Sequence, residues 1–352
     1  MNGNQIKIKK IKLKNLEEFA RNTLNDTDFG DVAPISLLRA KSQSKNPQSE
    51  PDDIALLVAL HDNRCVGYHG LLPGLLKNKD QVSKIYWLVT FYLDAGFRGK
   101  GYGKRLVTEI QNTNVDLVTT GITEAAAGAY RSAGFRQLGE LPYYQLRLEN
   151  TQFFSAVLRS LKSRENAFTV NSVSQLTEKF ETAAARQDSI ISFQRDIKTI
   201  NWMIRNPWVV SRQETQEDVK HYYFSRVRDL FKFIPLEIFA PDGKARKGYL
   251  VLSISCKKNK TMLKVLDFYF HDPKDIFIAG YLAVKYALDY RADRLEYPVD
   301  LETFFGDPTD FKQRVKRKKR LYLFCPRSND SPLARLAEKI QLNYCDSDTA
   351  FT

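Results

Sequence analysis

Along the first 150 residues the hydrophobic positions switch between two periods, and each switch marks an element. Ile6, Ile8, Ile11 and Leu13 are interleaved with lysines, with one slip at Lys9 and Lys10. That is close to the period of two of a half-buried strand. In NLEEFARNTL, Leu16, Phe19, Ala20 and Leu24 fall at helical spacing behind Asn15, a residue type suited to an N-cap. The polar stretch SQSKNPQSEPDD (42 to 53) reads as a loop. IALLVALH and CVGYHGLL surround the turn residues DNR and predict a hairpin, and a third strand follows over 83 to 93.

Next comes the turn FRGKGYGK, then GKRLVTEIQN with Leu106, Val107 and Ile110 on one helical face. VDLVTT is a strand, ITEAAAGAYRSAGF a short helix with Gly134 as its C-terminal cap, and YYQLRLEN a closing strand. The order predicts an α/β fold, a mixed sheet flanked by helices. Beyond residue 150 helical periodicity is expected over 151 to 163 and 173 to 187, and the stretch INWMIRNPW follows. Then come three strands (LFKFIPLEIFA, YLVLSISC, TMLKVLDFYFH), the helix IFIAGYLAVKYALDY and the strand RLEYPV. This repeats the layout of the first half without obvious residue identity. The expectation is a duplicated architecture with two domains, 1–150 and 151–352.

Composition adds limits. A chain of 352 residues is about twice the usual domain size, which agrees with two cores. The 43% hydrophobic and 27% charged fractions are those of a soluble globular protein. The net charge of +13 suits a phosphorylated ligand, nucleic acid or an anionic surface without choosing among them. Cys65, Cys256, Cys325 and Cys345 are too widely spaced for a zinc site and read as reduced thiols of a cytoplasmic protein, so no metal is expected. No apolar stretch of about 18 residues and no signal-peptide core is present, so neither a membrane span nor a leader is expected.

The chemistry concentrates in residues 97 to 104. Gly99, Gly101 and Gly103 stand between Arg98 and Lys104 where a strand gives way to a helix. Helix N-termini bind anions because their first amides are unpaired and the dipole is positive there, and glycines let backbone approach a phosphate. A dinucleotide GxGxxG fails, because Lys104 stands where its third glycine belongs. A P-loop fails as well, with Arg98 for its first glycine and Arg105 for its Ser or Thr. What remains is R-x-x-G-x-G, which alone is equally a tight turn with no ligand.

LDAGFRGKGYGKRL together with AYRSAGF (129 to 135) resembles the Gcn5-related N-acetyltransferase (GNAT) superfamily. Arg98, Gly101 and Gly103 match its Q/R-x-x-G-x-G/A motif after the fourth strand, and Tyr130, Gly134 and Phe135 match its Y-x-x-x-G-F signature. The resemblance follows the order of elements over residues 1 to about 150 and is sharp over 85 to 135. It implies an acyl-CoA N-acyltransferase fold, with acetyl-CoA as the expected donor and an amine as acceptor, an amino sugar among the candidates. By the same resemblance the backbone of Gly99, Lys100, Gly101, Tyr102, Gly103 and Lys104 would hold the pyrophosphate, with Arg98 adding charge. Tyr92 and Leu93 would pair with the pantetheine arm, and Tyr130 would protonate the departing thiolate. Tyr130 is alternatively an aromatic packed between helix and sheet.

A general base is less evident. The strands offer Thr90, Tyr92, Asp116, Thr119 and Thr120 rather than a glutamate. His69 and Glu124 are candidates, although a lone His on an apolar strand is usually a satisfied core residue. Thr123 stands where the family often has Asn. The second half lacks a comparable turn in FYFHDPKDIFIAG, so a second unit would be degenerate. Trp202, Trp208, Tyr222 and Tyr223 would line an acceptor pocket or, more ordinarily, fill a core. The basic run KQRVKRKKR (312 to 320) reads first as a solvated loop and second as a contact for an anionic partner. It lacks the aromatic interleaving of single-strand binders, so nucleic acid is not the expected partner. The opposing class is a non-catalytic CoA- or anion-binding scaffold that keeps the fold.

Overall fold

The computed structural model describes residues 6–78, 81–148, 167–177, 191–212, 220–224, 227–298, 314–336, 340–341 and 344–351, together with residues 154, 155, 158, 303 and 304. In chain order the first half contributes β1 (Lys7–Lys12), α1 (Leu16–Asn25), α2 (Leu37–Gln43), β2 (Ile54–His61), β3 (Arg64–Asn78), β4 (Gln81–Leu93), α3 (Tyr102–Gln111), β5 (Asp116–Thr120), α4 (Glu124–Ser132) and β6 (Arg136–Arg147). The second contributes β7 (Thr169–Ser172), β8 (Ile191–Phe193), α5 (Ile197–Arg205), β9 (Val210–Ser211), β10 (Val227–Arg228), β11 (Leu230–Phe239), β12 (Arg246–Lys257), β13 (Lys260–Phe270), α6 (Phe277–Asp289), β14 (Arg294–Tyr297), β15 (Val315–Cys325), α7 (Pro332–Leu336) and β16 (Ile340–Gln341).

One continuous sheet runs through the molecule in the order β1-β2-β3-β4-β5-β15-β6-β14-β13-β12-β11-β7. Its pairing pattern is a palindrome. β4 lies parallel to β5 and β13 parallel to β14, while every other neighbouring pair on this path is antiparallel. The two halves therefore repeat one topology about an axis between β15 and β6, which makes the duplication expected from the sequence visible as strand order. Each half also lends a strand to the other. β15 lies between β5 and β6, and β6 pairs with β14, so neither stretch closes its sheet alone.

Both faces of the sheet are covered, which is why β2, β3 and β12 read as nearly continuous apolar runs. On one face α3 and α4 pack over the first half through Leu106, Val107, Ile110, Ala127 and Tyr130. α6, apolar nearly all round, packs over the second half on that same face. On the other face α5 sets Trp202 and Met203 against Trp87 and Phe193 in a core that both halves share, and α1 covers β2 and β3.

Several local expectations change. Asn15 is helical and makes no side-chain cap. The polar stretch 42–53 includes the end of α2, and its remaining loop is an internal contact between the halves: Gln48 Nε2 donates to Gln194 O at 2.7 Å and to Thr199 Oγ1 at 2.9 Å. The helical periodicity expected over 151–163 and 173–187 falls largely outside the described residues. The basic run is no loop where it is described, because residues 315–320 are the first half of β15. Residues 344–351 lie between the halves. Arg195 donates to both oxygens of Asp346 at 2.9 and 3.1 Å, and Arg39 donates to Asp348 at 3.2 Å.

Candidate active site

The site begins where two strands part. β4 and β5 are in register from Ile85 with Asp116 to Leu88 with Thr119, after which β4 continues to Leu93 without β5, paired on its other side with β3. The divergence is built into β4. Its register with β3 slips between Tyr68 and Gly70, and Thr90 takes a left-handed φ of 49° at the slip. A bulge of this kind bends the bulged strand and increases its local twist. Thr119 occupies the fork, its Oγ1 donating to Leu88 O at 3.0 Å.

The glycine turn follows at once. Asp94 accepts from Gly96 N at 2.9 Å, and Arg98 Nε donates to Leu93 O at 2.9 Å, so the arginine fastens the turn to the end of β4. Gly99 and Gly101 hold φ of 74° and 81°, and a Cβ added at either would meet nothing within 4 Å. Their requirement is thus conformational. Gly101 caps α3 without any side-chain cap, which leaves the first amides of the helix, at Tyr102, Gly103 and Lys104, without intrahelical acceptors. A Cβ on Gly103 would lie 3.3 Å from Phe91 Cζ, so here glycine allows the helix to sit close to β4. Arg98, Lys100 and Lys104 are exposed around these amides. The arrangement fits an anion approached from solvent.

Behind the turn lies a buried polar pair. Tyr130 and His69 are both wholly inaccessible, and Tyr130 Oη lies 2.6 Å from His69 Nε2. His69 Nδ1 lies 3.2 Å from the carbonyls of Gly70 and Val89. Two carbonyls can only accept, so Nδ1 carries the proton, Nε2 is bare, and the tyrosine hydroxyl donates to it. Burial lowers His69 to about 4 and raises Tyr130 above the usual phenol value. Phe91 stacks on the imidazole at 4.8 Å and keeps water away.

Other sequence candidates have structural partners. Glu124 is exposed and pairs with Arg131 at 2.7 Å. Thr123 caps α4 by accepting from Ala126 N. Asp116 is buried and accepts from Arg327 N at 2.7 Å and Ser331 Oγ at 2.6 Å, which ties the chain after β15 to β5. Thr120 Oγ1 donates to Leu321 O. Trp202, Trp208 and Tyr222 are core residues. Tyr223, half exposed, stacks on Tyr92 at 4.2 Å and brings the second half to the end of β4. Sequence reasoning had no local signal for that contact, since the partners are far apart in the chain. Among the described residues, no group of His, Cys, Asp and Glu could hold a metal ion.

The second half repeats the scaffold without the cradle. β13 slips register with β12 between Val251 and Leu252 and pairs with β14 over residues 262–264 alone. Where the glycine turn would stand, Asp272 caps the short helix Pro273–Ile276 and Asp275 pairs with Lys247 at 2.9 Å. Carboxylates there disfavour an anion.

Residues 52–137 match the family model of the acetyltransferase (GNAT) domain. No curated protein matches the chain significantly in sequence. Among solved structures the chain is similar to a GCN5-related N-acetyltransferase from Anabaena variabilis (TM-score 0.55, 14% identity, covering 92% of this chain and 73% of that one). It is likewise similar to a GCN5-related N-acetyltransferase from Kribbella flavida (0.52, 12%, 90% and 70%). A third is Saccharomyces cerevisiae N-myristoyltransferase with bound myristoyl-CoA (0.51, 11%, 91% and 79%). At these identities the likeness is one of fold.

Proposed function

Since residues 52–137 are a GNAT domain, we propose that the chain is an acyl-CoA-dependent N-acyltransferase that moves acetyl from acetyl-CoA to a primary amine by direct attack in a ternary complex. N-acyltransfer in general is what the family supports; the acetyl donor and the amine acceptor are the proposal. The observation that carries it is the uncapped N-terminus of α3 behind two left-handed glycines, set beside the fork where β4 leaves β5.

In this reading the amides of residues 99–104 bind the pyrophosphate, helped by Arg98, Lys100 and Lys104. The free edge of β4 at Tyr92 and Leu93 aligns the pantetheine amides as an added strand would. The amine attacks the thioester carbonyl and expels the thiolate, Tyr130 supplies the thiolate's proton once its hydroxyl rotates away from His69 Nε2, and the proton that the amine sheds as the amide forms returns through water to the Tyr130 phenolate. Stretch 1–150 carries the chemistry. Stretch 151–352 is a degenerate partner that shapes the acceptor side and exchanges a strand with the first. The acceptor is a small amine, an amino sugar among the candidates, and the place of action is the cytoplasm.

Calorimetry with acetyl-CoA, then thiol release against amino sugars, polyamines and aminoacyl acceptors, tests this. Replacing Gly101 and Gly103 with bulky residues should abolish CoA binding; unchanged affinity refutes the cradle. One observation favours a scaffold that binds CoA without catalysis, namely that the Tyr130 proton is already committed to His69. Tight CoA binding with no turnover on any amine would decide for the scaffold.

A further inference from the structure

The fork in the sheet has a second bank. β5 ends at Thr120, and β15 pairs with it only over residues 322–325, yet β15 pairs with β6 from Val315 onward. Among the described residues, 315–321 therefore have β6 on one side and no strand on the other, just as β4 runs past β5 to Leu93. The two free stretches flank the space that a longer β5 would fill. Its closed end is about 10 Å across, two strand spacings.

The β15 bank is strongly basic. Lys316, Arg317, Lys318 and Lys319 are all exposed, whereas a strand inside a sheet covered on both faces, such as β2 or β12, hides nearly every residue along its middle. The residues directly opposite on β6 are Gln145, Tyr144, Tyr143 and Pro142, none of them a carboxylate. Lys316, Arg317 and Lys318 form no ion pair with any described residue, while Arg320, two residues beyond Lys318, turns inward over Tyr143 and Tyr344. By strand alternation Lys316 and Lys318 share the face of Arg320, and Arg317 points to the other. Cationic side chains thus stand on both faces of the sheet along this bank of the fork.

Resting on the proposed acyltransferase, we propose that this bank selects the acceptor: the amine substrate carries a phosphate or comparable anionic group, which Lys316, Arg317 and Lys318 hold while its amine lies in the fork. The glycine turn already serves the donor's pyrophosphate, so these three cations are left for the other substrate. A polycationic amine would meet like charge on this bank and be rejected.

The test is acceptor binding by calorimetry to the full-length protein loaded with CoA, a complex that cannot turn over. Matched pairs are used: ethanolamine against phosphoethanolamine, and glucosamine against glucosamine 6-phosphate, with spermidine as the polycation. At least one phosphorylated member should bind roughly tenfold tighter than its neutral partner, the sum of a few exposed pairs, and high salt should shrink the advantage. In the triple variant Lys316→Glu, Arg317→Glu, Lys318→Glu the advantage should vanish with CoA affinity intact, and the milder Lys316→Gln, Arg317→Gln, Lys318→Gln variant guards against misfolding. The proposal is overturned if no phosphorylated member outbinds its partner, or if the charge reversals weaken CoA instead, which would assign the bank to the donor. It is also overturned if the wild type prefers a mixed-sequence oligonucleotide over every phosphorylated amine. Failure of CoA to bind the wild type would count against the acyltransferase itself, a separate outcome.

Discussion

His69 should make the fold sensitive to acid in a window that can be computed. Its pKa is lowered from 6.5 to about 4, first by burial and against the two carbonyls that favour the protonated form. Between those values the unfolded chain binds a proton at this site and the native chain does not. Stability is therefore complete above about pH 6.5 and falls as pH drops through the window toward 4. Two and a half pKa units correspond to about 3 kcal/mol. The perturbation is His69→Gln, which keeps an acceptor near Tyr130 but cannot titrate. Urea unfolding of both proteins from pH 7 to pH 4 cancels the slopes of carboxylates common to both. The stability advantage of the wild type should shrink by about 3 kcal/mol across the window. An advantage constant with pH, or a resonance assigned to the His69 imidazole by its loss in the variant and titrating near 6.5, would refute the buried neutral histidine and with it the assigned direction of the Tyr130 hydrogen bond.

Three further outcomes follow from the same geometry. Tyr130→Phe removes the 2.6 Å bond and leaves Nε2 of His69 buried without a donor, at a cost of about 1–3 kcal/mol by urea unfolding; kcat should fall with CoA affinity retained, and an unchanged kcat would remove Tyr130 from the chemistry. Arg195→Gln strips the cation from Asp346, which it contacts at 2.9 Å, and from Asp267 at 3.8 Å, and should destabilise by about 3–5 kcal/mol; a loss below 1 kcal/mol would mean the carboxylates find other partners. Residues 1–150 expressed alone lack β15, so β5 and β6 lose the strand between them; no cooperative thermal transition should be seen, whereas a sharp one would show that this stretch folds by itself.

The first half was legible because its signals are local. Period-two and period-three-to-four stretches place α1, α3 and the strands from β2 to β5 nearly where they lie, and the glycine turn declares itself by spacing. Gly134 is indeed left-handed, at φ 86°, behind α4. What the sequence could not disclose depends on partners distant in the chain. Tyr223 on Tyr92, Gln48 on Thr199 and Arg39 on Asp348 join segments with no pattern in common. The hydrogen-bond direction at Tyr130 was equally hidden, because it follows from two carbonyls at His69 Nδ1, one of them Val89 O, which the bulged strand β4 brings from a distant part of the chain.

The basic run shows why one element was misread in kind. A strand is recognised by alternation, and alternation exists only where one face is buried and the other wet. From Tyr322 onward β15 lies between β5 and β6, and from Leu321 it is apolar. Before that point β5 has ended, the strand is held by β6 alone, and lysine is tolerated at every position. Lysine-rich composition is also how exposed edges avoid pairing with other chains. Edge protection needs no particular substrate, whereas acceptor selection needs the charges to face the fork. Charge reversal tells the two apart: it preserves edge protection, because glutamates also repel a neighbouring strand, but inverts any preference for a phosphorylated amine. Loss of that preference in a protein whose oligomeric state is unchanged from the wild type is thus the result that selection requires and edge protection does not.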